Sequence, residues 1–138
     1  MTTVSAASAA VPTSLRPVRL ALGIDAVGSG LNGLVFLLLS GPLSDTLGLA
    51  GPLLLALGAF FTLYALALAV VATRPSVPLG PVRVVAAGNI LWALGSGVLA
   101  VTGAVDPTTT AGEVWLIGQA LLVLDFGLLQ AWAVRRAS

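Results

Sequence analysis

Residues 20–39 read LALGIDAVGSGLNGLVFLLL. At 1.5 Å per residue, a helix of this length covers about 30 Å, the hydrocarbon thickness of a bilayer. Yet Asp25, Ser29 and Asn32 lie inside it at i, i+4 and i+7. That spacing puts them on one helical face, with Phe36 following on the same side. A carboxyl and an amide on one face of a membrane-crossing helix pose both the architectural and the functional question.

The rest of the chain shares this apolar character. Of 138 residues, 58% are hydrophobic and 8% charged, and the mean hydropathy is +1.09. A soluble domain has about 25% charged residues, so this chain cannot clothe a soluble surface. Its apolar residues fall in four blocks, about 18–40, 51–73, 81–104 and 113–134. Within lipid the backbone must satisfy its own hydrogen bonds, so each block is expected to be a helix. Turn chemistry separates them: Gly41-Pro42, then Pro75-Ser76-Val77-Pro78, then Asp106-Pro107. The loop from Ser40 to Leu49 is semi-apolar and fits a short interfacial helix started by Pro42 or Ser44. The expected architecture is an all-α bundle of four transmembrane helices over residues 16–138, preceded by a disordered tail over residues 1–15. The tail lacks a basic n-region and an apolar h-region, so no cleaved signal peptide is expected.

Charge sets the orientation. All six basic residues are Arg: Arg16 and Arg19 before the first block, Arg74 and Arg83 around the second break, Arg135 and Arg136 at the end. They fall on one side. The opposite side carries Asp45, Asp106 and Glu113. The positive-inside bias then predicts both termini in the cytoplasm of a cell whose inner membrane holds the protein. Trp115 and Trp132, near opposite ends of the fourth block, suit aromatic belts. The abundance of Ala, Gly, Val and Leu, with Arg in place of Lys, suggests a GC-rich genome.

Pro17-Val18-Arg19 recurs as Pro81-Val82-Arg83, an offset of 64. At that offset Asp25 meets Asn89, Asn32 meets Ser96, and Gly33 meets Gly97. The bundle therefore reads as two helical hairpins related by a parallel repeat, or as two Gly/Ala-rich helices aligned by chance. Asn89, Ala93 and Ser96 repeat the spacing of the first helix. Ala26-xxx-Gly30, Ser29-xxx-Gly33 and Ala93-xxx-Gly97 are small-xxx-small patterns that admit close helix approach. They predict that the first and third spans touch, with Gly30, Gly33 and Gly97 at the contacts. Under this reading Ser29, Asn32, Asn89 and Ser96 are interhelical hydrogen-bond partners; under the alternative they form, with Asp25 and Asp125, a candidate polar site for a proton or ligand.

Asp125 stands near the midpoint of LLVLDFGLLQAW, residues 121–132, and no basic residue lies within a span to neutralise it. A charged Asp at that depth costs about 2.5–3.5 kcal/mol. Either it is a neutral carboxyl bonded to an Asn or a carbonyl, or it is a proton or cation site. Asp25 lies nearer the Arg side, within reach of snorkelling cations. Gln119, six residues before Asp125, points elsewhere. Tyr64 and Trp92 are available for a pocket hydroxyl and wall, or as bundle filling.

Several functions are excluded or disfavoured. The chain has no Cys and no His. Thiol chemistry, disulfides and the usual zinc, haem and general-base residues are therefore absent. A net charge of +1 without a basic run offers no nucleic-acid face. No phosphate loop, dinucleotide fingerprint or metal-binding cluster occurs, and a Ser or Thr nucleophile would find only carboxylates as bases. No catalytic set, cofactor or metal is expected.

The stretch Asp25…Gly30-Leu31-Asn32-Gly33-Leu34…Gly41-Pro42-Leu43…Leu47-Gly48-Leu49, together with Asn89-Ile90-Leu91-Trp92, resembles uncharacterised small four-helix integral membrane proteins of actinobacteria. That resemblance spans most of the chain after the tail and implies a fold and a host class, but no activity. Size and topology also resemble the small multidrug resistance transporters. Those carry a Glu in the first helix where this chain has Asp25, and the surrounding residues do not match. The expected function is a structural, accessory or self-assembling membrane protein, in contact with the lipid bilayer and forming a homodimer or larger membrane complex. The alternative is a small proton- or cation-linked carrier using Asp125 and Asp25, with an unspecified small-molecule or ion ligand.

Overall fold

The computed structural model describes residues 15–138. The expected tail therefore lies, apart from Leu15, outside the described residues. Five helices follow: α1 (Arg16–Leu38), α2 (Ser40–Leu47), α3 (Gly51–Ala72), α4 (Leu79–Thr102) and α5 (Thr110–Ala137). Four of them, α1, α3, α4 and α5, are long and apolar enough to cross a membrane. The fold is the expected four-span bundle, and the chain is a multi-pass membrane protein. Helix ends differ by a few residues from the apolar blocks. α4 starts at Leu79, immediately after Pro78, and α5 runs from Thr110 to Ala137. The Thr109 hydroxyl starts α5 by accepting from the Gly112 N–H at 3.1 Å.

Local chemistry shapes both ends of the bundle. The expected short helix is present as α2, and it begins at Ser40 rather than at Pro42 or Ser44. It ends at Gly48, whose φ of +62° is a left-handed conformation that glycine adopts without penalty. A Cβ on Gly48 would also lie 2.6 Å from the Thr108 backbone N. Gly112 likewise lets α5 press against the Leu47 carbonyl. At the opposite end the Arg19 guanidinium donates to the carbonyls of Ala72 at 2.5 Å and Pro75 at 3.2 Å. It thereby caps the last carbonyl of α3, that of Ala72, while Thr73 and Arg74 serve the carbonyls before it.

The helices pair as sequence neighbours. α1 packs chiefly on α3, and α4 on α5, while α1 also meets α5. This corrects the expectation that the first and third spans join through their glycines. A Cβ on Gly33 would lie 2.8 Å from the Thr62 backbone N and 2.9 Å from the Gly58 carbonyl, so Gly33 is where α1 and α3 meet most closely. Gly30 also faces α3, 3.4 Å from the Ala65 Cβ. Nothing lies within 4 Å of a Cβ on Gly97. The second hairpin closes instead at Gly127, against Ala86 and Ile90 of α4. Short connections favour antiparallel neighbours, which explains the pairing. The repeat offset therefore does not extend to the depth at which each hairpin closes.

Two apolar clusters form the interior. One, toward the Arg end, joins Val18, Leu22, Leu68, Val82, Ala133 and Val134 from all four spans. The other, toward the acidic end, holds Phe36, Leu47, Leu49, Leu54 and Phe61. Phe36 packs against Trp115 at 5.3 Å between ring centroids and against Phe61 at 6.4 Å. Polar side chains occupy the layer between these clusters.

Candidate functional site

Asp25 is 1% exposed, and a polar residue from each other span reaches it. Ser29, one turn on along α1, donates to Oδ1 at 2.9 Å. Three donors converge on Oδ2: the Tyr64 hydroxyl of α3 at 2.9 Å, the Asn89 Nδ2 of α4 at 2.7 Å, and the Gln130 Nε2 of α5 at 2.7 Å. Asn89 Nδ2 also donates to Gln130 Oε1 at 2.8 Å, and Tyr64 lies 2.9 Å from Asn89 Oδ1. Gln130 is fully buried, and Asn89 is 7% exposed. A carboxyl in an apolar interior is tolerable only with such partners. The cluster ties four helices to one side chain.

The proton inventory is informative. Six contacts join the five residues. Ser29 and Tyr64 have one hydroxyl proton each, and the amides of Asn89 and Gln130 supply the rest. Tyr64 touches two acceptors, Asp25 Oδ2 and Asn89 Oδ1, with a single proton to give.

The site opens on one side. A cavity of about 240 Å³ lies between α3 and α4, with Asp25, Ser29 and Asn89 at its polar wall and Phe60, Tyr64 and Trp92 as aromatic lining. Phe60 stacks on Tyr64 at 6.1 Å and on Trp92 at 5.5 Å, its ring nearly parallel to both. The Trp92 indole N–H donates to Gln119 Oε1 at 3.0 Å, a second polar link between α4 and α5.

The structure divides the predicted site residues. Asp25, Ser29 and Asn89 come together. Tyr64, offered as a possible pocket hydroxyl, belongs with them. Asn32 is half-buried beside a separate cavity of about 280 Å³ that Gln119 and Trp115 also line. Ser96 is buried on α4 and lines an apolar groove between α4 and α5. Asp125 stands apart, exposed on the outer side of α5. Gln130 is the residue that sequence reasoning missed. It lies five positions from Asp125, so the two point about 140° apart, and burying one turns the other outward. A signal existed: Gln130 shares a face with Gly127 and Val134, a small residue beside an amide, as on α1.

No protein-family model, no curated protein and no solved structure matches the chain.

Proposed function

We propose that the protein is a structural or accessory component of the membrane that works by assembly and not by catalysis, and that its inner polar cluster is a fastening between spans. One observation carries this reading: the Asp25 carboxyl is held at both oxygens by partners from all four spans within the chain itself. Such a knot fixes which helix faces which, the use best attested for buried polar groups in packed helices. The orientation we propose is both termini in the cytoplasm, with the Arg end inside.

Asp25 variants test the reading. In Asp25→Asn the amide oxygen can take the position of Oδ2 while the NH2 group faces the Ser29 oxygen, which turns to accept. The protein should fold, with abundance and detergent melting temperature near wild type. Asp25→Leu leaves Asn89 and Gln130 without their shared acceptor. Each unsatisfied buried group costs about 1–3 kcal/mol, so the melting temperature should fall sharply. If both variants fold equally well, the cluster is not a fastening.

A second reading, proton- or cation-linked carriage, is supported by the cavity at Asp25 between α3 and α4. It requires Asp25→Asn to be well folded yet to lose any pH-dependent ligand binding or proton flux in vesicles that wild type shows. Equal flux through wild type and Asp25→Asn eliminates it.

A further inference from the structure

Asp125 poses the opposite problem to Asp25. It lies near the middle of α5 and faces outward, on the side opposite the buried Leu116, Gly127, Gln130 and Val134. Among the described residues, the side-chain hydrogen bonds of α5 run through Thr109, Gly112, Gln119, Gln130 and Ser138, and none reaches Asp125. In a bilayer this carboxyl points at hydrocarbon, at a cost of about 2.5–3.5 kcal/mol. Some occupant with a polar group is needed at that depth.

The surroundings of Asp125 indicate a helix. Gly118, Asp125 and Trp132 recur at seven-residue intervals, with Leu121 and Leu128 between them, and all five are exposed. This is the a/d seam of a left-handed helix pair, with a polar residue at one central a position, the arrangement that sets register in such pairs. Gly118 has nothing within 4 Å of where a Cβ would lie, so a neighbouring helix can approach closely there.

The identity of that helix follows from what this chain can offer. No Arg lies at the depth of Asp125, because all six are gathered at one end of the bundle, at or beyond the ends of the spans. Trp132 lies two helical turns away along the seam, so at the depth of Asp125 the one group a second copy brings opposite it is its own counterpart, and a carboxylic acid presents both a donor and an acceptor to its twin. A two-fold contact brings each residue of the seam opposite itself. We infer that the outer face of α5 docks a second copy of this chain, parallel to the first, with the two Asp125 carboxyls paired across the two-fold axis. The inference rests on the assembly reading above and names its partner.

The chain has no Cys, so single-cysteine crosslinking in membranes is clean. Gly118→Cys and Leu121→Cys should form disulfide-linked dimers on mild oxidation. Leu66→Cys, exposed on α3, should not. Adding Asp125→Leu to Gly118→Cys should weaken dimerisation roughly tenfold, given the 1–2 kcal/mol found for polar pairs between membrane helices. Adding Asp125→Asn should preserve it, because two amides also pair. Melting in detergent checks that each variant is folded. Absence of seam crosslinks in folded protein overturns the inference, whether lipid or a different membrane protein covers the face. Seam crosslinks undiminished by Asp125→Leu overturn it too, because the carboxyl pair would then not hold the contact. Preferential crosslinking through Leu66→Cys places the interface elsewhere and has the same consequence. None of these outcomes touches the role of Asp25, which its own variants decide, so the two failures are distinguishable.

Discussion

The chain's two carboxyls at membrane depth are the same residue type in opposite situations. Asp25 is wrapped by four donors within the bundle, while Asp125 faces outward from α5. The partners of Asp25 are not equivalent. Gln130 is fully buried, gives one bond to Asp25 and accepts another from Asn89. Gln130→Leu therefore takes one of three donors from Asp25 Oδ2 and leaves one buried Asn89 N–H without its acceptor, at about 1–3 kcal/mol for that unsatisfied group. Tyr64 borders the cavity between α3 and α4, so water can replace its hydroxyl. Tyr64→Phe should cost only about 0.5–1.5 kcal/mol, the usual worth of one net hydrogen bond. Melting of the purified variants in detergent should rank wild type above Tyr64→Phe and Tyr64→Phe above Gln130→Leu. The reverse order for the two variants would mean that Gln130 is not the deeper anchor of the cluster.

At the scale of the helices, glycines matter by what faces them. Sequence spacing groups Gly30, Gly33 and Gly97 together, and space separates them. Gly33 is the contact point of α1 with α3, where an added Cβ would come within 3 Å of backbone atoms. Backbone cannot swing aside as a side chain can, so Gly33→Ala must push α1 from α3. Overpacking of this kind costs about 1–3 kcal/mol. Gly97 faces open space. There Ala gains helix propensity of about 1 kcal/mol over Gly, so Gly97→Ala should be neutral or stabilising. Thermal unfolding of the two single variants should move in opposite directions, or at least differ clearly. If Gly33→Ala is as benign as Gly97→Ala, the α1–α3 crossing is looser than the structure shows. The small-xxx-small motif identifies faces that permit approach, but cannot say which neighbour uses them, because the connection between spans decides the neighbour.

At the scale of the whole molecule, the bundle was legible because it follows from one demand, that apolar blocks of bilayer length satisfy their own backbone. Four spans and the short helix at Ser40–Leu47 came from hydropathy and turn residues alone. The polar cluster was legible only in part. Asp25, Ser29 and Asn89 stood out through helical spacing and the 64-residue offset, and Asn89 does bond Asp25 across that offset. Gln130 was missed because the 64-residue offset aligns it with Leu66 and not with a polar residue. The asymmetry of charge is likewise global. Arg16, Arg19, Arg74, Arg83, Arg135 and Arg136 gather at one end of the bundle, while Asp45, Asp106 and Glu113 gather at the other. Cationic loops of this length resist translocation, whereas acidic ones contribute little to orientation. A cytoplasm-active reporter fused after Ser138 should therefore give signal, and one inserted at Thr108 between α4 and α5 should not. An export-active reporter should give the converse. If Ser138 instead reports the exported side, the orientation proposed here is inverted, and a mixture of both at one site would mean that six arginines do not suffice to choose it.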